Sequence, residues 1–168
     1  MSTEKILLGY GVVSVGGTPI GLTRGGSEFS VEREFRNIEA DGDRGPVKNR
    51  VVIDTEIAKL TVNALATFSS DDMQKYYPSL SATAATEGGE TTVTGTQKIV
   101  EGDYNDVTWV GKTLTGKAVT IAIKNAINMG NVTWTLEDKD EVVPALEFTA
   151  TYDPEAMDTA PWTTTFGA

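Results

Sequence analysis

Val51 to Thr67 reads VVIDTEIAKLTVNALAT, and this stretch decides the fold class. Its even positions carry Val52, Ala58, Leu60, Val62, Ala64 and Ala66, with Asp54 and Glu56 near the start. Its odd positions run Val51, Ile53, Thr55, Ile57, Lys59, Thr61, Asn63 and Leu65. Period-2 alternation of this kind belongs to a β-strand, whose successive side chains point to opposite faces. Both faces are partly apolar, so the strand is expected to be covered on both sides for part of its length. At about 17 residues it is far longer than the usual five or six.

Upstream, Phe29, Val31 and Phe35 share one face with Arg33 between them, while Ser30, Glu32, Glu34 and Arg36 take the other. Between the two runs, Glu39 to Asn49 (EADGDRGPVKN) is all turn chemistry, with charges, two Gly and one Pro. A hairpin of Phe29–Ile38 with Arg50–Thr67 should therefore project beyond a compact domain, with residues 39–49 as its tip.

Working outward, Ile6 to Val15 is a predicted strand ended by Gly16-Gly17, and Gly21 to Arg24 is a short one broken by Gly25-Gly26. One helix is expected over Ser70–Tyr77. Ser69 or Ser70 caps it, Asp71 and Asp72 suit its positive end, and Pro78 stops it. Met73 and Tyr76 or Tyr77 would face the sheet. Ser79 to Glu90 (SLSATAATEGGE) is small and polar, and reads as a mobile loop. Further strands are predicted over Thr91–Val100, Asp106–Thr113, Lys117–Ile127, Asn131–Asp138 and Val142–Tyr152. Alternation is clean in Val132-Trp134-Leu136 and in Leu146-Phe148-Ala150-Tyr152. A C-terminal arm, Asp153 to Ala168, carries Pro154, Pro161, Trp162 and Phe166. The expectation is one mainly β domain over residues 1–168: an antiparallel β-sandwich or barrel with one short α-helix and a long extended hairpin arm.

Composition narrows the function. The chain has 168 residues and 24 threonines, a residue that suits pleated, half-buried surfaces. Its net charge of −10 and pI near 4.4 argue against a nucleic-acid binder, which needs Lys and Arg to displace counterions. Without Cys there are neither disulfides nor thiolate metal sites, and without His the commonest general base and metal ligand are missing. The first apolar stretch, Ile6 to Val15, lacks the basic flank and cleavage site of a signal peptide. No run approaches the roughly 18 apolar residues of a membrane span. A soluble protein made inside the cell is expected, with no membrane insertion by this chain.

Candidate chemistry is thin. Glu32/Glu34 and Asp54/Glu56 place carboxylates two apart on strand faces, a spacing that a glycosidase pair permits but that a solvated sheet face explains as well. Asp41-Gly42-Asp43 and Asp103-Tyr104-Asn105-Asp106 faintly resemble calcium loops but lack the frame of one, which favours turns. Trp109, Trp134 and Trp162 offer either a sugar-stacking platform or core and interface anchors. Trp109 and Trp134 lie in apolar strand segments. Trp162, in a Pro-bounded tail, would touch a neighbouring subunit or its own domain.

Several of these segments together resemble the major tail tube protein of long-tailed bacteriophages. They are Gly21-Leu22-Thr23-Arg24-Gly25-Gly26, the acidic alternating strand, and Ile38-Glu39-Ala40-Asp41-Gly42 followed by Gly45-Pro46-Val47-Lys48. The long strand leading into a short Ser-capped acidic helix, and the closing Phe148-Thr149-Ala150-Thr151-Tyr152-Asp153 with Pro161-Trp162, are similar too. The likeness follows element order over nearly the whole chain, apart from Ser79 to Thr115.

The resemblance implies a structural virion protein without cofactors or catalytic residues. In that family, hexameric rings stack into a hollow tail tube, and inner sheets of six subunits close into one barrel. The implied partners are the tape-measure protein, tail-terminator and tail-tip proteins, and double-stranded DNA in transit. The implied location is the virion, after synthesis in the bacterial cytoplasm. On this reading Glu32, Glu34, Asp54 and Glu56 contribute to an acidic lumen wall. The hairpin tip Asp41, Gly42, Asp43, Arg44, Gly45 and Pro46 makes the ring-to-ring contact, and Trp162 an inter-subunit contact. A contractile-tail or secretion-system tube is a close variant. A secreted or surface β-sandwich that binds carbohydrate or protein is the alternative, and a carboxylate-pair hydrolase ranks third.

Overall fold

Ten strands and one α-helix form among the residues that the computed structural model describes, 6–65, 69–85 and 88–168. In order they are β1 (Leu7–Val15), β2 (Thr18–Pro19), β3 (Thr23–Asn37), β4 (Val51–Ala64), α1 (Ser70–Tyr76), β5 (Leu80–Ala84) and β6 (Thr91–Gly95). There follow a 3-10 turn (Glu101–Asp103), β7 (Asn105–Thr113), β8 (Ala118–Asn128), β9 (Ala145–Thr149) and β10 (Trp162–Phe166). Every pairing is antiparallel. The chain is thus mainly β with one short helix, as the alternation predicts.

Two sheets share β8. The path runs β2-β1-β7-β8-β9-β4-β3, and β10 adds to the other side of β8. The first part of β8, Val119–Ile123, pairs with β7 and β10, whereas Ile127 and Asn128 pair with β9. Between them Asn125 adopts a positive φ of 46°, which bends the strand from one sheet to the other. Asp106 holds the bend: its carboxylate accepts the Asn125 backbone N–H at 3.1 Å and Lys124 Nζ at 2.8 Å. Partial burial pushes the Asp106 carboxyl up, but these hydrogen bonds and the Lys124 charge outweigh it, and its pKa lies below the ordinary value.

The core lies between the two sheets. Val13, Val15, Val107, Trp109 and Ile123 come from one, and Leu60, Val62, Leu146 and Phe148 from the other. The Trp109 indole lies across Gly11 and Gly111, which face each other on β1 and β7. A Cβ at either glycine would collide with the ring, so these glycines make room for the largest core side chain. Helix α1 begins as its sequence dictates, with Ser69 Oγ accepting the Asp72 N–H at 3.0 Å. Its last turn buries Tyr76, whose carbonyl accepts Asn128 Nδ2 at 2.8 Å. Burial, with the Asp72 charge second, raises the Tyr76 phenol pKa.

The long hairpin forms as predicted, and its register sets Phe29 opposite Leu60, Val31 opposite Ala58 and Arg33 opposite Glu56. The predicted continuation of its second strand to Thr67 lies outside the described residues. Four expectations are corrected. Ser79–Glu90 is not a loop throughout, because β5 pairs with β6; residues 86 and 87 lie outside the description. The small residues of β5 settle on α1, where the Ala82 N–H reaches Gln74 Oε1 at 3.3 Å and Leu80 packs on the core. Asn131–Asp138 alternates but forms no ladder among the described residues: alternation supplies a face, not a partner strand, and Val132 and Leu136 stay exposed. Thr91–Val100 and Val142–Tyr152 shorten to β6 and β9. The C-terminal arm is partly sheet, since β10 pairs with β8.

Candidate functional site

A long open strand edge and an acidic sheet face occur together on β3. The strand is 15 residues long and terminal in its sheet: β4 pairs with one side, and no strand among the described residues pairs with the other. It carries neither Pro nor Lys, two residues that commonly blunt an edge. At the far end of the path β1 is also largely open among the described residues: β2 pairs with Ser14 and Val15, and the Ile20 N–H bonds the Val13 carbonyl.

Register sorts the hairpin side chains into two faces, because directly paired antiparallel residues share one. The inner face carries Phe29, Val31, Arg33, Glu56, Ala58, Leu60 and Val62. The outer face carries Glu28, Ser30, Glu32 and Glu34 from β3, with Thr55, Ile57, Lys59 and Thr61 from β4. Strand β9 adds Glu147 opposite Thr61. The four predicted lumen carboxylates therefore do not share a face. Glu32 and Glu34 lie outside and Glu56, paired with Arg33, lies on the opposite side; Asp54 falls at the register shift between Glu34 and Phe35 and binds Arg36, which follows Glu34 on its own face. The register, which period-2 counting along single strands does not supply, separates them.

Their partners differ as well. Glu56, whose side chain is 13% exposed, accepts Arg33 Nε at 2.9 Å and Trp162 Nε1 at 2.7 Å. Its carbonyl accepts the Tyr152 hydroxyl at 3.2 Å. Asp54 accepts Arg36 Nε at 3.0 and 3.2 Å through its two oxygens. Glu56 thus neutralises an arginine at the root of the arm, and Asp54 one further along it. On the outer face Glu34 accepts Thr55 Oγ1 at 3.1 Å, and Lys59 lies 3.5 Å from Glu32 and 3.9 Å from Glu147. Four glutamates there face Lys59, with Arg36 beyond them held by Asp54. Glu28 was readable from the alternation Glu28-Ser30-Glu32-Glu34, whereas Glu147 joins only through β4–β9 pairing.

Beyond the root, β4 is buried on neither face from Val51 to Thr55, so the hairpin projects as predicted. A register shift between Glu34 and Phe35 brings Phe35 opposite Ile53 and leaves Asp54 unpaired in the ladder. Past it, Phe35, Ile53 and Val51 are exposed. The tip is a built turn rather than a slack loop. Asp43 accepts the Ala40 N–H at 2.8 Å and Arg50 Nη2 at 3.0 Å, and Gly42 supplies a φ of 92°. Arg44 and Lys48 are exposed there and make no ion pair among the described residues.

The remaining candidates resolve into structural roles. Asp41-Gly42-Asp43 is a turn, and Asp103 to Asp106 runs from the end of the 3-10 turn into β7; Asp103 accepts the Val100 and Ser79 N–H groups. Trp109 is core. Trp162 packs on its own domain, its ring centroid 5.8 Å from that of Phe29. Of the two positions expected for Trp162, the structure shows this intrachain one. No helix among the described residues is long and apolar enough to cross a membrane.

No protein-family model matches the chain, and no curated protein does. Among solved structures, the tube-terminating cap of the anti-feeding prophage matches with a TM-score of 0.56 and 12% identity. The match covers 97% of this chain and 91% of that one. At this identity the likeness is one of fold, and it takes in nearly the whole of both chains.

Proposed function

We propose that this chain is a structural subunit of a phage-type tail, which polymerises as stacked, hexameric rings into a hollow tube that conducts double-stranded DNA. The observation that carries the reading is the open 15-residue edge of β3 beside an acidic face. An isolated edge of that length invites pairing, and a ring in which copies complete one another's sheets removes it. The fold shared with a tube-terminating cap supports the same context.

Charge gives the mechanism. A wall bearing Lys and Arg would gain affinity at each phosphate and hold DNA at every ring. Glu28, Glu32, Glu34 and Glu147 outnumber Lys59 and Arg36, the latter held by Asp54, and repel phosphate over a Debye length of about 8 Å. The outer face of β3, β4 and β9 therefore lines the bore in this reading, and Glu56 braces the arm instead. Tape-measure, tail-terminator and tail-tip proteins are the partners of such a tube, and the virion its location. Catalysis has no place in it.

A second reading, a terminating ring that ends a tube, is favoured by the fold shared with a tube-terminating cap. Electron microscopy of the concentrated protein separates them: tubes of many rings support the tube subunit, and single closed rings support the cap. A strictly monomeric chain whose β3 edge stays solvent-exposed at every concentration would contradict both.

A further inference from the structure

Resting on that reading, we infer that the hairpin tip of one copy docks into a specific groove on a second copy, between the 3-10 turn and the segment after β9. The groove, of about 750 Å³, is lined on one side by Ile99, Val100 and Tyr104 and flanked by Glu101, Asp153 and Glu155. Its three apolar side chains are 55%, 51% and 39% exposed, an unusual set to leave in water side by side. None of the three acids makes an ion pair among the described residues.

The occupant is argued from the complement found on the same chain. The tip presents Arg44 and Lys48, also without ion pairs, beside exposed Ile38 and Pro46. Two unneutralised bases flanked by apolar side chains match three unneutralised acids flanked by apolar side chains. The Asp43–Arg50 clamp holds the tip in one shape, so little ordering is needed on docking. Tip and groove are different patches of one molecule. Joined head to tail, each added copy leaves one tip and one groove unfilled, and the assembly propagates.

The absence of cysteine makes the test clean. Full-length Pro46→Cys and Pro154→Cys variants are mixed in equal amounts and mildly oxidised, and the cross-links are identified by mass spectrometry. The expected result is a 46–154 bond well in excess of 46–46 and 154–154. Adding Arg44→Glu and Lys48→Glu to the tip partner should lower its yield about tenfold or more, and Glu101→Lys with Glu155→Lys on the groove partner should restore it. Same-site dimers alone, no cross-link, or a yield indifferent to the charge reversals would overturn the inference. Microscopy of the same samples keeps it distinct from the reading beneath it. Tubes without the 46–154 bond sink the groove alone; the bond without rings or tubes leaves the groove and sinks the tube.

Discussion

Trp109 shows how a single residue sets conditions on its neighbours. Its indole occupies the space in which Gly11 and Gly111 have no side chains, so Gly111→Ala is expected to cost about 1–3 kcal/mol through overpacking. Gly9→Ala, with open space around it and an ordinary φ, should stay within about 0.5 kcal/mol in the same urea titration. Trp162→Phe keeps an aromatic ring against Phe29 but removes the N–H that Glu56 accepts. It should lower stability by about 1–2 kcal/mol, and Trp162→Ala by more. Asp106 makes the pH prediction. Its folded pKa lies below the ordinary value, so its contribution is complete above about pH 4 and is lost as pH falls through the folded pKa. Because the Lys124–Asp106 pair is about half exposed, Asp106→Asn should cost under about 1 kcal/mol at pH 7. That cost should fade in melts recorded below pH 3.

At the scale of elements, the hairpin is the part that sequence conveys best. Alternation places both strands, and Glu39 to Asn49 announces its turn through Gly42, Gly45 and Pro46. Deleting Asp41–Pro46 removes the Asp43 clamp and the basic tip but no core residue, so the variant should keep its strand signal in circular dichroism. It should also fail to polymerise; normal tubes from the deletion would exclude the tip from the contact between rings. What the sequence conceals is set by partners far along the chain. Val132 to Leu136 alternates like β8 yet joins no ladder among the described residues, while plain Leu80 to Ala84 becomes a strand because α1 and β6 lie beside it. The candidate site divides likewise. Glu32 and Glu34 are readable as a pair from their spacing. Their separation from Glu56 follows from the β3–β4 register, and Glu147 from a strand more than eighty residues away.

For the whole molecule, the two open ends of one sheet path and the acidic outer face combine into a single account. Copies joined edge to edge extend the sheet, and the glutamates of each copy then repeat around a common axis. Changing Glu147, on β9 and away from the β3 edge, to Lys should leave assembly intact but make the tubes retain short duplex DNA in a sedimentation assay. Retention should fall steeply with added salt, whereas tubes of the unaltered chain should retain none. Cryo-electron microscopy of the assembled particle tests the account most directly, at a resolution that separates strands. The predicted map has β3 of one copy hydrogen-bonded to a strand of the next, with Glu28, Glu32, Glu34 and Glu147 facing an empty bore. A map with the β3 edge in solvent, or with those four glutamates on the outside of the particle, would contradict it.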